Sequence, residues 1–180
     1  MLRITIPAIE QWDERKQEFV QTKGQTLQLE HSLVSLSKWE SKWNKPFLSK
    51  GDKTVEETLD YIKCMTINQP IDPDVYNGLT SEHIEQINKY IEAPMTATTF
   101  NENKQGGRNR EVVTAELIYY WMIALNIPFE CQKWHLNRLL TLIRVCNVKN
   151  APPKKMSKRA TASQYAQLNA ARRQQLNTRG

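Results

Sequence analysis

The chain opens with Leu2, Ile4 and Ile6 alternating with Arg3 and Thr5. A two-residue period is that of a strand with one covered face, and Pro7, which has no N–H to give, ends it. Phe19 to Thr22 and Gln25 to Leu29 flank Lys23-Gly24, which predicts a hairpin turn with Leu27 and Leu29 on one face. Together these runs predict a small antiparallel sheet of two or three strands. So small a sheet persists only when its apolar face packs on something, and from Leu33 onward the apolar positions take the period of helices.

Leu33, Leu36, Trp39 and Trp43 recur at three and four residues, and Ser37-x-x-Glu40 has the spacing of a capping box. They predict a short amphipathic helix ending before Pro46. Thr54-x-x-Glu57 repeats the capping spacing, and Val55, Leu59, Ile62 and Met65 form one apolar stripe behind it. Asp72 before Pro73 starts a short helix through Tyr76 to Gly78, and Thr80-Ser81-Glu82 starts another with Ile84, Ile87 and Ile91 inward. Met95 to Phe100 is β-branched and reads as extended, and the polar Asn101 to Asn109 stretch with Gly106-Gly107 reads as a flexible loop. Arg110 to Leu125 is the most apolar segment, hydrophobic around most of its circumference from Leu117 onward, which predicts a central buried helix. Pro128 to about Asn147 predicts the longest helix, with Trp134, Leu136, Leu139, Leu140, Leu142, Ile143 and Cys146 as its apolar positions.

The expected fold class is therefore α+β and predominantly α-helical. A small N-terminal antiparallel β-sheet (residues 1–30) precedes a bundle of about five to six helices (33–148), the two forming a single folded domain over 1–150. Ala151-Pro152-Pro153 marks a boundary, and residues 151–180 form a basic C-terminal arm, disordered or conditionally helical, because isolated helices that short are marginal in water.

Composition bears first on the arm. The net charge over 180 residues is +6, but eight of the 25 basic residues fall from Lys149 onward with no acid among them, leaving 17 against 19, a balance of −2, before it. The basicity belongs to the arm alone. Three cysteines without a Cys-x-x-Cys pair point to a reducing compartment. The longest apolar run, Leu117 to Leu125, has nine residues where a bilayer takes about 20, so no membrane partner is expected.

The residue types of catalysis do not converge. His135 lies four residues after Cys131, but no third or fourth ligand stands at a metal-site spacing; His31 and His83 are isolated, and Gly106-Gly107 lacks the context of a phosphate loop. Glu56-Glu57 and Asp72/Asp74 read as cap and first-turn charges. No catalytic residue, metal or cofactor is expected. Of five tryptophans, Trp121 and Trp134 read as core, whereas Trp39 and Trp43 stand among Lys38, Glu40, Lys42 and Lys45. An aromatic ridge ringed by charge either packs on the sheet or anchors a partner, and Phe47 and Leu48 extend it. Lys154, Lys155, Lys158, Arg159, Arg172 and Arg173 form a second candidate contact, for an acidic surface.

Several blocks taken together, EHSLVSLSKWESKWNKPF (Glu30 to Phe47), ETLDYIKCMT (Glu57 to Thr66), YIEAPMTATTF (Tyr90 to Phe100) and IYYWMIALNIPFECQKWHLNRLLTLIRVCNVKN (Ile118 to Asn150), resemble the tail assembly chaperones of long-tailed bacteriophages of Gram-positive hosts. PPKKMS and the ending LNAARRQQLNTRG are similar to that group as well. The resemblance implies a non-enzymatic protein that coats the tape measure protein, a long and largely helical chain, and delivers it to polymerising tail tube subunits in the host cytoplasm. Self-association would fit the same role. One alternative is a structural or completion protein of the phage particle, found in the virion. Another is a nucleic-acid binder acting through the basic tail, against which stand the slightly acidic body and the lack of a helix-turn-helix, zinc-finger or RNA-binding aromatic motif.

Overall fold

The computed structural model describes residues 1–13, 17–68, 70–100, 112–152 and 158–177. The chain divides into two units, Met1–Asn147 and Val148–Gly180. The fold of the first is α+β: short antiparallel strands at the N-terminus, then helices.

Among the described residues four strands, β1 (Leu2–Ile6), β2 (Ile9–Asp13), β3 (Glu18–Thr22) and β4 (Gln25–Leu29), pair β1 with β4 and β2 with β3. The expected hairpin about Lys23-Gly24 is thus corrected: the strands on its two sides do not pair with each other. One register runs through both pairs, since Ile6 faces Gln25 and, three residues on, Ile9 faces Thr22. The strands form one long ribbon, interrupted where Pro7 withdraws a donor. Gly24 lies at the interruption, where a Cβ would come within 2.9 Å of the Ala8 nitrogen and 3.2 Å of the Ile6 carbonyl oxygen. The glycine signals a close approach of two backbones, where sequence alone reads a turn.

The free edge of β4 is covered from further along the chain. Glu30 N–H donates to the Met65 carbonyl at 2.9 Å and Ile67 N–H to that of Gln28 at 2.8 Å. Asn68 then mimics a strand with its side chain, its Oδ1 accepting from Gln28 N–H and its Nδ2 donating to the Thr26 carbonyl, both at 2.8 Å.

Among the described residues six α-helices come after the strands: α1 (Leu33–Trp43), α2 (Val55–Met65), α3 (Ser81–Glu92), α4 (Ala115–Ala124), α5 (Leu136–Asn150) and α6 (Lys158–Leu176). The caps at Thr54, Asp72 and Thr80 stand where the spacing places them, Asp72 opening a 3-10 turn over Pro73–Gly78. α1 differs. It begins four residues before Ser37, because Ser32 and Ser35 satisfy each other's backbone N–H in a reciprocal cap. The predicted longest helix, Pro128 to about Asn147, is broken and is shorter than α6: residues Phe129–Lys133 form a 3-10 turn, Ser32 pairs with His135, and Leu136 N–H donates to the His31 carbonyl at 2.7 Å before α5 starts. Met95–Phe100 joins no strand, although the Arg144 guanidinium of α5 lies over the Phe100 ring at 4.1 Å. The Asn101 to Asn109 loop lies outside the described residues.

Two apolar cores share α1. The first gathers Ile4, Ile6, Leu27, Leu29, Trp39, Ile62, Met65 and Ile87, closing the sheet against α2 and α3. The second gathers Leu33, Leu36, Ile118, Met122, Leu136, Leu139 and Ile143 from α1, α4 and α5. Phe47 packs against both. α4 is not buried all round, as Tyr120 and Ile123 are 63% and 61% exposed. The α2 stripe splits as well, with Ile62 and Met65 in the core and Val55 78% exposed.

Replacing Gly24 by Ala should force the Pro7–Ala8 backbone off the β4 junction and cost about 1–3 kcal/mol, read as a lower midpoint in urea unfolding with an unchanged slope.

Candidate partner-binding surfaces

The aromatic ridge becomes a clasp between α1 and α2. Trp39 is 1% exposed and its indole N–H donates to the Glu57 carbonyl at 2.9 Å, so its assignment as a partner contact is corrected: it is core. Trp43 stacks on it with ring centres 6.2 Å apart and donates to Asp60 Oδ2 at 2.9 Å. Phe47 is half-buried, stacked on Tyr61 at 3.8 Å with its edge toward Trp39, which makes it a plug between the two cores. Of the four residues, Leu48 alone is exposed, at 38%. An indole N–H seeking a partner drives this arrangement, since α2 offers a carbonyl and a carboxylate at the right height.

Charges lock the clasp. Lys42 pairs with Asp60, and Lys45 Nζ with Glu57 Oε1 at 2.6 Å. Burial works to raise the Asp60 carboxyl, but hydrogen bonds from Lys42 and Trp43 outweigh it and hold that carboxyl below the usual range. The hydrogen bond from Lys45 and the Thr54 backbone N–H lower that of Glu57. Lys42 and Lys45, two of the three lysines that surround the ridge in sequence, are thus spent on α2, and Lys38 stays exposed.

Glu40, also expected to be part of that charged rim, is 6% exposed. Its two carboxylate oxygens accept from Phe47 N–H at 2.8 Å and Ala115 N–H at 2.7 Å, fastening α1 to the loop behind it and to the first turn of α4. An acid at a helix N-terminus also meets the positive end of its dipole. Glu40→Ala leaves one buried and one half-buried donor unpaired and should cost about 2–5 kcal/mol, whereas Glu40→Gln, which keeps one acceptor, should cost less; thermal unfolding of the two variants separates them.

His31 and His135 meet where the two cores join, ring centres 5.2 Å apart and edge to face. The His31 Nδ1 shares a hydrogen bond with the Tyr61 hydroxyl at 2.6 Å, and His135 Nε2 lies 3.0 Å from the Tyr90 carbonyl oxygen. A carbonyl only accepts, so the proton of His135 is on Nε2, and its buried Nδ1 has no hydrogen-bond partner among the described residues. The Tyr90 hydroxyl in turn donates to Glu30 at 2.7 Å. Burial, then the neighbouring His135, pushes His31 down to about 3; burial also lowers His135 against the Tyr90 bond. Unfolding returns both to about 6.5, so the unfolded chain binds protons first as pH falls. Stability should therefore be complete above pH 6.5 and decline from there toward pH 3, ahead of the carboxylates; His31→Gln should flatten the pH 6.5 to 5 limb of a stability–pH curve.

Among the described residues no three His, Cys, Asp or Glu side chains cluster to hold a metal, and no helix is long and apolar enough to cross a membrane. Burial raises the thiol pKa of Cys64 and Cys131, keeping both protonated. Among the described residues, apolar surfaces stand open on α4 and between α2 and α3. On α4, Tyr120 and Ile123 point outward, and Phe129, 53% exposed, lies with its ring centre 6.5 Å from that of Tyr119 on the same helix. Between α2 and α3 runs a groove of about 600 Å³. Neither can be read from periodicity, because a helix apolar all round hides which side is outer, and a stripe does not tell how far its cover extends. In the arm, Arg159, Arg172 and Arg173 are exposed on α6, and Lys158 is its first residue; Lys154 and Lys155 lie outside the described residues. Comparison with protein-family models, curated proteins and solved structures finds no match in any of the three.

Proposed function

We propose that the protein is a non-enzymatic phage tail assembly chaperone, binding the tape measure protein in the host cytoplasm and handing it to tail tube subunits. The resemblance of its sequence blocks, spread from Glu30 to Asn150, suggests the role. The observation that supports it in physical terms is the open face of α4. Tyr120 and Ile123 are three apart on one side of a helix, and Phe129 stands nearby, an arrangement suited to an amphipathic client helix. Exposed apolar side chains that adjoin one another, unlike ones scattered singly, are the kind of surface that marks contact sites. Trp43 and Leu48, at the outer end of the clasp, are a second, smaller contact for the same client.

Glu substitution at both Tyr120 and Ile123 removes no core contact and should leave the fold intact. When the chain is co-expressed with the tape measure protein, recovery of the client with the double variant should fall about tenfold or more relative to the native chain. Unchanged recovery with a folded variant would count against this face. The chain should also be missing from purified virions, and its presence there in stoichiometric amounts would favour a structural component of the particle.

A further inference from the structure

The α2–α3 groove is lined by Val55, Leu59, Tyr76, Leu79, Ile84 and Asn88, among others. Val55 and Leu59 are the N-terminal half of the stripe whose other half builds the first core, so an apolar seam runs on past its own cover. This seam lies in the most acidic part of the chain. Residues 52–92 hold nine Asp and Glu against three Lys, a balance of −6. With Glu57 and Asp60 neutralised by Lys45 and Lys42 from outside the segment, −4 remains. Glu56 and Glu85, each next in sequence to a groove residue, are exposed. Lys53, the one cation among the described residues lining the groove, holds its Nζ over the Phe47 ring at 4.5 Å.

The arm has the opposite character. α6 runs 19 residues and carries exposed Tyr165, Leu168 and Leu176, at 62%, 46% and 71%. With Arg172 these residues recur at three and four along one line, the anchor spacing of a helix that lies in a groove. Arg159, Arg172 and Arg173 are exposed on the same helix, which has no acidic residue. Tyr165 to Leu176 spans about 16 Å, three turns, a length that a groove between two helices of 11 and 12 residues can seat.

We propose that the α2–α3 groove receives the α6 helix of a second copy of this chain, so that the protein self-associates by exchange of its basic arms. Tyr165 and Leu168 fill the seam past Val55 and Leu59, and Arg172 and Arg173 face the acids that flank it. The inference does not rest on the chaperone reading, since the client takes no part and the α4 face stays free.

Sedimentation velocity of the full-length chain across the micromolar range tests it. The native chain should associate, and more weakly as salt rises, because flanking charges in water are screened within about 8 Å at physiological ionic strength. Arg172→Glu with Arg173→Glu in the arm, or Glu56→Lys with Glu85→Lys beside the groove, should each weaken association about tenfold or more, and mixing the two variants should restore it. Val55→Glu, at an exposed site, should weaken it without lowering the melting temperature. A native chain monomeric at every concentration overturns the proposal. So does an arm variant that associates like the native chain, as would happen if a different surface joined the copies. Arms that bind only duplex DNA, with no change in the chain's own association, also overturn it.

Discussion

α1 must serve two cores at once. Its Trp39 side closes the sheet and α2, while Leu33 and Leu36 belong to the core built by α4 and α5. An 11-residue helix buried on two sides has little surface left for water, and its polar residues must therefore find partners in the protein. Glu40 does so through two backbone N–H groups, Ser32 and Ser35 through each other, and Trp39 through the Glu57 carbonyl. The loop after α1, the start of α4 and the level of α2 are all set by satisfying that one helix.

The histidine pair carries the same constraint to the far end of the chain. Because the His31 carbonyl takes the Leu136 N–H and Ser32 pairs with His135, the segment before α1 fixes where α5 begins. Both imidazoles remain neutral there because burial penalises their charge. Glu30, the acid whose field reaches His135, is engaged by the Tyr90 hydroxyl and by the Met1 amino group at 2.9 Å. The junction is thus stable as a buried contact of neutral rings and sensitive to acid for that reason.

What is left open on the surface is as ordered as what is closed. α4 turns Ala115, Ile118 and Met122 inward and leaves Tyr120 and Ile123 out; α2 covers Ile62 and Met65 and leaves Val55 out. In each case a continuous apolar pattern outruns the elements available to cover it. That excess supports the reading of a protein whose work is binding other chains, and the separation of charge between residues 52–92 and the arm adds a direction to the binding.

Local chemistry was legible in sequence wherever it was decided within a few residues. The alternation of Leu2, Ile4 and Ile6, the caps at Thr54, Asp72 and Thr80, and the net positive charge of the arm can all be read from such short stretches, and so can the α+β class. Contacts distant in sequence decided the rest. The pairing of β1 with β4, the break before Leu136, the burial of Trp39 and the pinning of Glu40 to α4 each join residues 18 to 105 positions apart. A tryptophan among lysines reads identically whether its indole meets water or a carbonyl on another helix, and an apolar helix does not say which of its sides will be met. Tertiary packing chose, because each buried N–H needed an acceptor and the chain had few to offer at those positions.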